Sequence, residues 1–340
     1  MKNKVSGFIL SNKAAFILLV LAVGMSFATP VFFTQINLVN VIRQTSTSAI
    51  LACGYCMILG AGYIDLSVGS QIGMMGALMA LLMRNGSPTI VAILAAMIFG
   101  MLLGCANAFI ITTFELPAFI VTLASQQIVR GAVYLMTGMV PILDLNESYI
   151  WLGQGRILGI PVPIYILIIV FIIVFLIINR FKFGRHILAV GGNAQAAYVS
   201  GINTQAVVYK VYMAMGICIA IAATVLTGRS ASAQPSAGLN MEMDAIAAVV
   251  VGGTSMAGGV VNVPGALFGS LIVGVVNNAM NLLKLDSNWQ LIAKGGLILF
   301  AVVLDKASAK FMNKTERASI LKAMSGSGVK TGKETKGRGV

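Results

Sequence analysis

The residues able to do chemistry are few, and they sit in apolar surroundings. Asp65 lies in IDLSVGS (64–70), between two apolar runs. Its carboxylate either caps the helix that follows, a role open to Ser67 too, or faces a polar cavity. Arg130 lies one helical turn beyond Gln126 and Gln127 in LPAFIVTLASQQIVRG (116–131). It snorkels, pairs with an acid or lines a lumen, and the sequence leaves all three open. Asn107, Thr122, Asn277, Asn278 and Asn281 place neutral hydrogen-bonding groups at membrane depth. Neutral amides and hydroxyls suit a neutral polyhydroxylated solute better than an ion, although hydrogen bonds between helices use the same residue types.

Catalytic machinery is scarce. His186 is the only histidine, which argues against a Ser-His-Asp or metal–histidine site. Cys53 and Cys56 form a CxxC, but the other two cysteines, Cys105 and Cys218, stand alone in apolar stretches. A structural zinc site wants four ligands, so the cysteines read as small residues in membrane helices. The nearest approach to a phosphate-binding loop is Gly332-Lys333, followed by Glu334 where Ser or Thr is needed. The expectation is a chain that is not an ATPase, with no metal and no cofactor of its own.

The elements that must position these residues follow from composition. The chain has 340 residues, 58% apolar and 10% charged, with mean hydropathy +0.93. Soluble domains run at roughly 45–50% apolar and about 25% charged, so soluble-enzyme, disordered and nucleic-acid-binding classes are excluded. An all-α polytopic membrane protein remains. The net charge of +13 is mostly terminal: three lysines and no acid at 1–13, nine Lys/Arg against two acids at 306–340. Basic ends beside apolar spans predict cytoplasmic termini.

Apolar runs fall at about 14–33, 45–64, 67–83, 88–113, 116–138, 162–178, 207–228, 243–260, 263–285 and 288–305. Between them lie a mixed segment, 139–161, a basic connector, 179–206, and a polar connector, 229–242. With both termini and the basic connector on the cytoplasmic side, an even number of spans must precede the connector and an even number follow it. Six plus four gives about ten transmembrane helices, with eight the fallback if short Gly-rich runs such as 67–83 or 243–260 are re-entrant. The expected organisation is a cytoplasmic N-terminus at 1–13, a membrane domain at 14–305, and a basic tail at 306–340 that is disordered at its end. Glycine pairs at i, i+4, namely Gly69/Gly73, Gly100/Gly104 and Gly265/Gly269, predict close helix–helix approach.

The strongest local signal is FGRHILAVGGNAQAAYVSGI (183–202) in the basic connector. Gly191-Gly192 predicts a sharp turn. Asn193 is a good N-cap for a short helix at 194–200, which Gly201 can end. A short helix on an ordered cytoplasmic hairpin is either a docking element or a plain ordered loop.

These residues resemble the permease family of bacterial ABC importers for ribose, galactose, xylose and similar solutes. GYIDLSVGS (62–70), LPAFIVTLASQQIVRG, the long segment MDAIAAVVVGGTSMAGGVVNVPGALFGSLIVGVVNNAMNLL (243–283) and WQLIAKGGLILFAVVLD (289–305) resemble it in order. The resemblance implies the ABC importer permease fold, working as a pair of permease chains with a separate ATPase that carries ATP and Mg, and a periplasmic or lipoprotein solute-binding protein. It implies that Phe183, Gly184, Arg185, Gly191, Gly192, Asn193, Ala196 and Ala197, with Gly201 closing the helix, form the coupling surface for the ATPase. The segments around Asp65 and around Gly252, Gly253, Thr254 and Ser255 would lie near the pathway or the permease–permease interface. Departures fall at Ala61, Tyr63 and Val261, and at Lys284, where a glycine is common.

The sequence therefore points to the transmembrane subunit of an ATP-driven importer of a monosaccharide or similar polar solute in the bacterial inner membrane. The alternative is an ion-coupled secondary transporter or channel, for which Asp65 is the candidate coupling carboxylate. Membrane lipid, and no nucleic acid, completes the expected set of partners.

Overall fold

The computed structural model describes residues 13–286, together with 288–293, 295, 296, 299 and 303. The expected N-terminal segment 1–12, the basic tail, and most of the last apolar run lie outside these residues. In chain order the helices are α1 (Lys13–Ala28), α2 (Gln35–Gly60), α3 (Val68–Arg84), α4 (Thr89–Thr113), α5 (Ala118–Thr137), α6 (Glu147–Gln154), α7 (Val162–Asn179), α8 (Lys182–Gly192), α9 (Ala194–Val199), α10 (Thr204–Ser230), α11 (Met241–Val251) and α12 (Val263–Leu282). The chain is helical again over 288–293. Pro88, Pro117 and Pro161 each precede the first residue of a helix, where a backbone donor would have no partner in any case.

Five of the described helices, α4, α5, α7, α10 and α12, are long and apolar enough to cross a membrane. Helix α2 is of similar length, at 26 residues, but starts ten residues before the apolar run at 45–64 that the sequence marks. Those ten residues carry Gln35, Asn37, Asn40, Arg43 and Gln44, of which Asn37 is buried against α12 through Asn278. Hydropathy passes over this start of the helix because its polar residues interrupt the apolar run.

Helices α3 and α11 behave differently. With 17 and 11 residues they reach about 26 and 16 Å at 1.5 Å per residue, short of the ~30 Å hydrocarbon layer. Each follows a non-helical stretch, 61–67 before α3 and 231–240 before α11. Helices α2 and α10 run antiparallel. Arg229 Nη1 near the end of α10 donates to Gln44 O in the first half of α2, 3.4 Å away, and Tyr212 Oη near the start of α10 donates to Ile64 O beyond the end of α2 at 3.0 Å. The first helix of each run lies against the third of the other: α2 on α12, and α10 on α4. The two runs α2–α4 and α10–α12 are therefore laid out in inverted order, a design that brings broken helices together in the middle of a bundle.

Glycine sets the closest approaches. On the α4–α10 contact, the most extensive in the molecule, a Cβ at Gly100 would stand 2.5 Å from Gly216 O, and one at Gly104 would stand 2.3 Å from Tyr212 O. At α11–α12, Cβ atoms on Gly265 and Gly269 would fall 1.9 Å from Gly252 O and Ala248 O. Both pairs act as their spacing predicts. Gly69 and Gly73 face no helix backbone: they make room for the side chains of Glu242 and Arg130 and for the non-helical stretch at Gly238 O, Ala237 O and Pro235 O.

Other connectors are more ordered than composition implies. The mixed segment 139–161 contains α6, which packs on α10, and a two-stranded hairpin, Arg156–Ile157 with Ile160–Pro161. Its turn residues Leu158 and Gly159 both have positive φ, 51° and 81°, the geometry of a tight hairpin turn. The basic connector is largely the helix pair α8–α9. Gly191-Gly192 is the last turn of α8 rather than a sharp bend; the chain turns at Asn193, with φ −161° and ψ 102°.

Helix α12 ends with Leu285 N–H donating to Met280 O at 2.9 Å and Lys284 N–H to Asn281 O at 3.1 Å, with Lys284 at φ +55°. This is a Schellman cap whose left-handed position normally holds glycine. Lys284→Gly is expected to raise stability by about 1 kcal/mol, read as a higher thermal midpoint of the detergent-solubilised chain; an unchanged or lower midpoint would contradict the strain.

Candidate functional site

Two polar assemblies occupy the interior. The first lies where the chain leaves α2 and enters α3. Asp65 Oδ1 accepts from the Ser67 backbone N–H at 2.9 Å and from its hydroxyl. Ser67 Oγ in turn accepts from Gln71 Nε2 at 2.7 Å and Asn107 Nδ2 at 3.2 Å. All four side chains are buried. The hydroxyl of Tyr55 donates to Asp65 O, and that of Tyr212 to Ile64 O. Between them these groups satisfy non-helical backbone that lipid could not. Asp65 thus braces the start of α3, although Ser67, the first flanking residue, makes no side-chain cap itself. With its Oδ1 taken up by Ser67, Asp65 gives little support to an ion-coupling role. Gln71, Tyr55 and Tyr212 were not singled out by the sequence, because a lone amide or phenol in an apolar run carries no spacing signal.

The second assembly ties the two broken segments to each other. Arg130, buried on α5, donates from Nη1 to Pro235 O at 2.8 Å and Ala237 O at 3.0 Å, and from Nη2 to Gly69 O at 2.9 Å. Its guanidinium bridges the first turn of α3 to the stretch leading into α11, and its charge also acts on the nearby carboxylate of Glu242. One turn away, Gln126 Nε2 donates to Glu242 Oε1 at 3.2 Å. Glu242 is buried in the first turn of α11, where the positive end of the helix dipole favours a carboxylate, and its Oε2 lies against Gly69. Glu242 falls within the stretch 229–242 that composition reads as a connector. The signal that could have found it is an acidic pair, Glu242 and Asp244, opening an apolar run.

The remaining polar candidates separate from these assemblies. Thr122 Oγ1 donates back to Ala118 O within α5. Asn278 exchanges two hydrogen bonds with Asn37, 2.9 and 3.1 Å, joining α12 to α2. Asn281 accepts from Gln290, and Asn277 lies beside Asn278 on α12. Gly252, Gly253, Thr254 and Ser255 form the turn after α11. Asn262 clamps that turn, donating from Nδ2 to Gly252 O and from its backbone N–H to Thr254 Oγ1, both at 3.0 Å; the sequence reading missed it.

At the end of the bundle where α10 begins, α8 and α9 form a hairpin. Asn193 Oδ1 accepts from Ala196 N–H at 2.9 Å and so caps α9, and Gly201 leaves it at φ +84°. The hairpin is keyed into the bundle by bare backbone. Gly259 N–H donates to Gly60 O at 3.0 Å. A Cβ on Gly191 would stand 2.0 Å from Gly60 O and 2.7 Å from Gly259 N. Three separate motifs thus meet at one point: the end of α2, the end of α8 and the loop after α11. The proposed coupling residues divide accordingly. Gly184 and Ala197 are buried, Phe183 packs against the core, and Gly191 is locked in the junction. Arg185, Gly192, Asn193, Ala196 and Gly201 are exposed, beside Tyr198 and Val199.

A bundle of apolar helices whose two broken segments meet internally is the layout of a multi-pass membrane transport protein. A family model described as branched-chain amino acid transport system / permease component matches residues 37–302, and the chain belongs to this family of permease components. It is 40% identical to the ribose import permease protein of Haemophilus influenzae over 314 residues, covering 90% of this chain and 97% of that one. It is 38% identical to the ribose import permease protein of Escherichia coli K12 (88% and 94% covered), and 34% identical to the D-allose transport system permease protein of that strain (86% and 90%). No solved structure matches it.

Proposed function

We propose that this chain is the membrane-spanning subunit of an ATP-driven importer for a monosaccharide, ribose being the first choice. It works in the bacterial inner membrane with a second permease chain, an ATPase subunit that holds ATP and Mg, and a solute-binding protein on the outer face. The sugar is suggested by the relatives named ribose and allose permeases. The single observation that carries the coupling is the hairpin α8–α9, exposed on one side and keyed by Gly191 to the ends of α2 and the 252–262 loop on the other. Force applied to the exposed side reaches the segments that lead into α3 and out of α11.

In this reading 61–84 and 231–262 each count as one crossing, helical for part of its depth and extended for the rest. That gives about ten crossings, with the hairpin and both termini cytoplasmic. The basic residues Arg180, Lys182, Arg185 and His186 lie at the hairpin's end of the bundle, as the positive-inside rule requires. The neutral groups Gln126, Gln71 and Asn107, together with Asp65, Ser67, Arg130 and Glu242, lie at the pathway's shoulder and hold its backbone; they bind solute weakly, so release is not stalled.

Ribose uptake into vesicles containing the chain, its ATPase and its binding protein should require ATP. Arg185→Glu, an exposed charge reversal, should cut that uptake by at least about tenfold through like-charge and desolvation costs at the contact, with the thermal midpoint unchanged. Uptake driven by a proton or sodium gradient in vesicles holding this chain alone would overturn the reading.

A further inference from the structure

A pocket of about 260 Å³ opens between the end of α4 and the start of α10, lined by Tyr63, Thr112, Glu115, Leu116, Thr204 and Gln205 among others. Thr204 follows α9 by a few residues, and Tyr63 follows Gly62, which lies against Gly191. The pocket therefore lies beside the hairpin, at the same end of the bundle. Small-molecule sites are roughly 300–1,000 Å³, so this space suits one long side chain. Its lining is divided: Leu116, Val208 and Ile111 can cover an aliphatic stem, while Glu115, Thr112, Thr204 and Gln205 can receive a polar head. Lys and Arg are built in this way.

Charge selects among occupants. Arg180, Lys182, Arg185 and Lys210 are exposed toward this end, and among the described residues there Glu115 is the exposed acid. It has no ion-pair or hydrogen-bond partner among the described residues. It is also held at φ +53°, a conformation that a glutamate adopts at a cost. We infer that this pocket receives a basic side chain of the ATPase subunit, arginine by preference, whose guanidinium pairs with the Glu115 carboxylate. The planar fork of arginine matches a carboxylate with two parallel bonds. The inference rests on the importer reading and adds a second anchor beside the hairpin, one of opposite charge to the basic surface around it. The partner face must then be acidic opposite α8 and basic opposite Glu115, which fixes its register.

The test is co-purification of the ATPase subunit with the tagged full chain from membranes, across a range of salt. Wild-type association should weaken as salt rises. Glu115→Lys should lower the bound ATPase by at least about tenfold at low salt. Glu115→Gly, which relaxes the backbone while removing the carboxylate, should give an intermediate loss and a flatter salt response. If either variant retains wild-type ATPase with the wild-type salt response, this pocket is not an anchor. If the wild-type chain brings down no ATPase at all, the importer reading fails, and this inference with it.

Discussion

Arg130→Met is expected to destabilise the protein by about 3–5 kcal/mol and to abolish transport, because two buried carbonyls and a part-buried one lose their donor together. Pro235 O and Ala237 O belong to the non-helical entry to α11, and Gly69 O to the first turn of α3. None of these has water to turn to inside a bundle, where each unmet group costs several kcal/mol. The loss also removes a positive charge beside Glu242, the buried carboxylate in the first turn of α11 that lies against Gly69. Arg130→Lys should recover part of the stability. A single ammonium keeps the charge but cannot bridge the positions that Nη1 and Nη2 occupy on opposite sides. The measurement is the thermal midpoint of the solubilised chain, with tryptophan fluorescence as the probe, beside ATP-driven uptake. If Arg130→Met melted like the parent protein, the bridge between the broken segments would carry no energy, and the pathway wall would have to be held in another way.

How much of this was legible in the sequence depends on where each signal lives. Spans such as 88–113 and 162–178 were readable almost to the residue, because α4 and α7 face largely outward and lipid selects continuous apolar sequence. The start of α2 was not, since Gln35, Asn37, Asn40, Arg43 and Gln44 interrupt its apolar sequence. Gly100/Gly104 and Gly265/Gly269 declared close contacts by spacing alone. Gly69/Gly73 has the same spacing but makes room for a loop and for the side chains of Glu242 and Arg130, which only the tertiary fold decides. The importance of Arg130 was visible as a charge in an apolar run; its partners were not, because backbone carbonyls at 235 and 237 have no signature in residue type. Asn278 shows the converse. A polar residue at membrane depth looks like a pathway group, and its amide gives one hydrogen bond to Asn37 and takes one from it, a pairing between helices that residue type does not reveal. The order of the two runs, α2–α4 and α10–α12, is inverted in space with little trace in composition, since chain direction leaves no mark on hydropathy.

Gly191→Val separates the hairpin from the bundle without unfolding the bundle. The new Cβ would sit 2.0 Å from Gly60 O and 2.7 Å from Gly259 N, both of them backbone atoms that no rotamer change can move. The end of α8 must lift, and the bond from Gly259 N–H to Gly60 O opens with it. Overpacking costs about 1–3 kcal/mol, and a backbone bond left unmade costs about 1–3 kcal/mol more. Neither charge falls on the α4–α10 contact, which lies elsewhere in the bundle, so the main thermal transition should drop only slightly. What should change is local: Lys182 and Arg185 on α8 become accessible to trypsin, because local opening of one unit exposes its own backbone first. Transport should fall by at least about tenfold while ATP hydrolysis by the bound ATPase continues, the mark of a joint that no longer passes motion. Gly192→Ala is the packing control. No atom lies within 4 Å of a Cβ there, so the trypsin resistance of α8 should be unaffected. A valine at 191 that left both the trypsin pattern and the uptake-to-hydrolysis ratio intact would mean that the junction of the three glycine motifs is a seam in the fold and not the path along which the hairpin moves it.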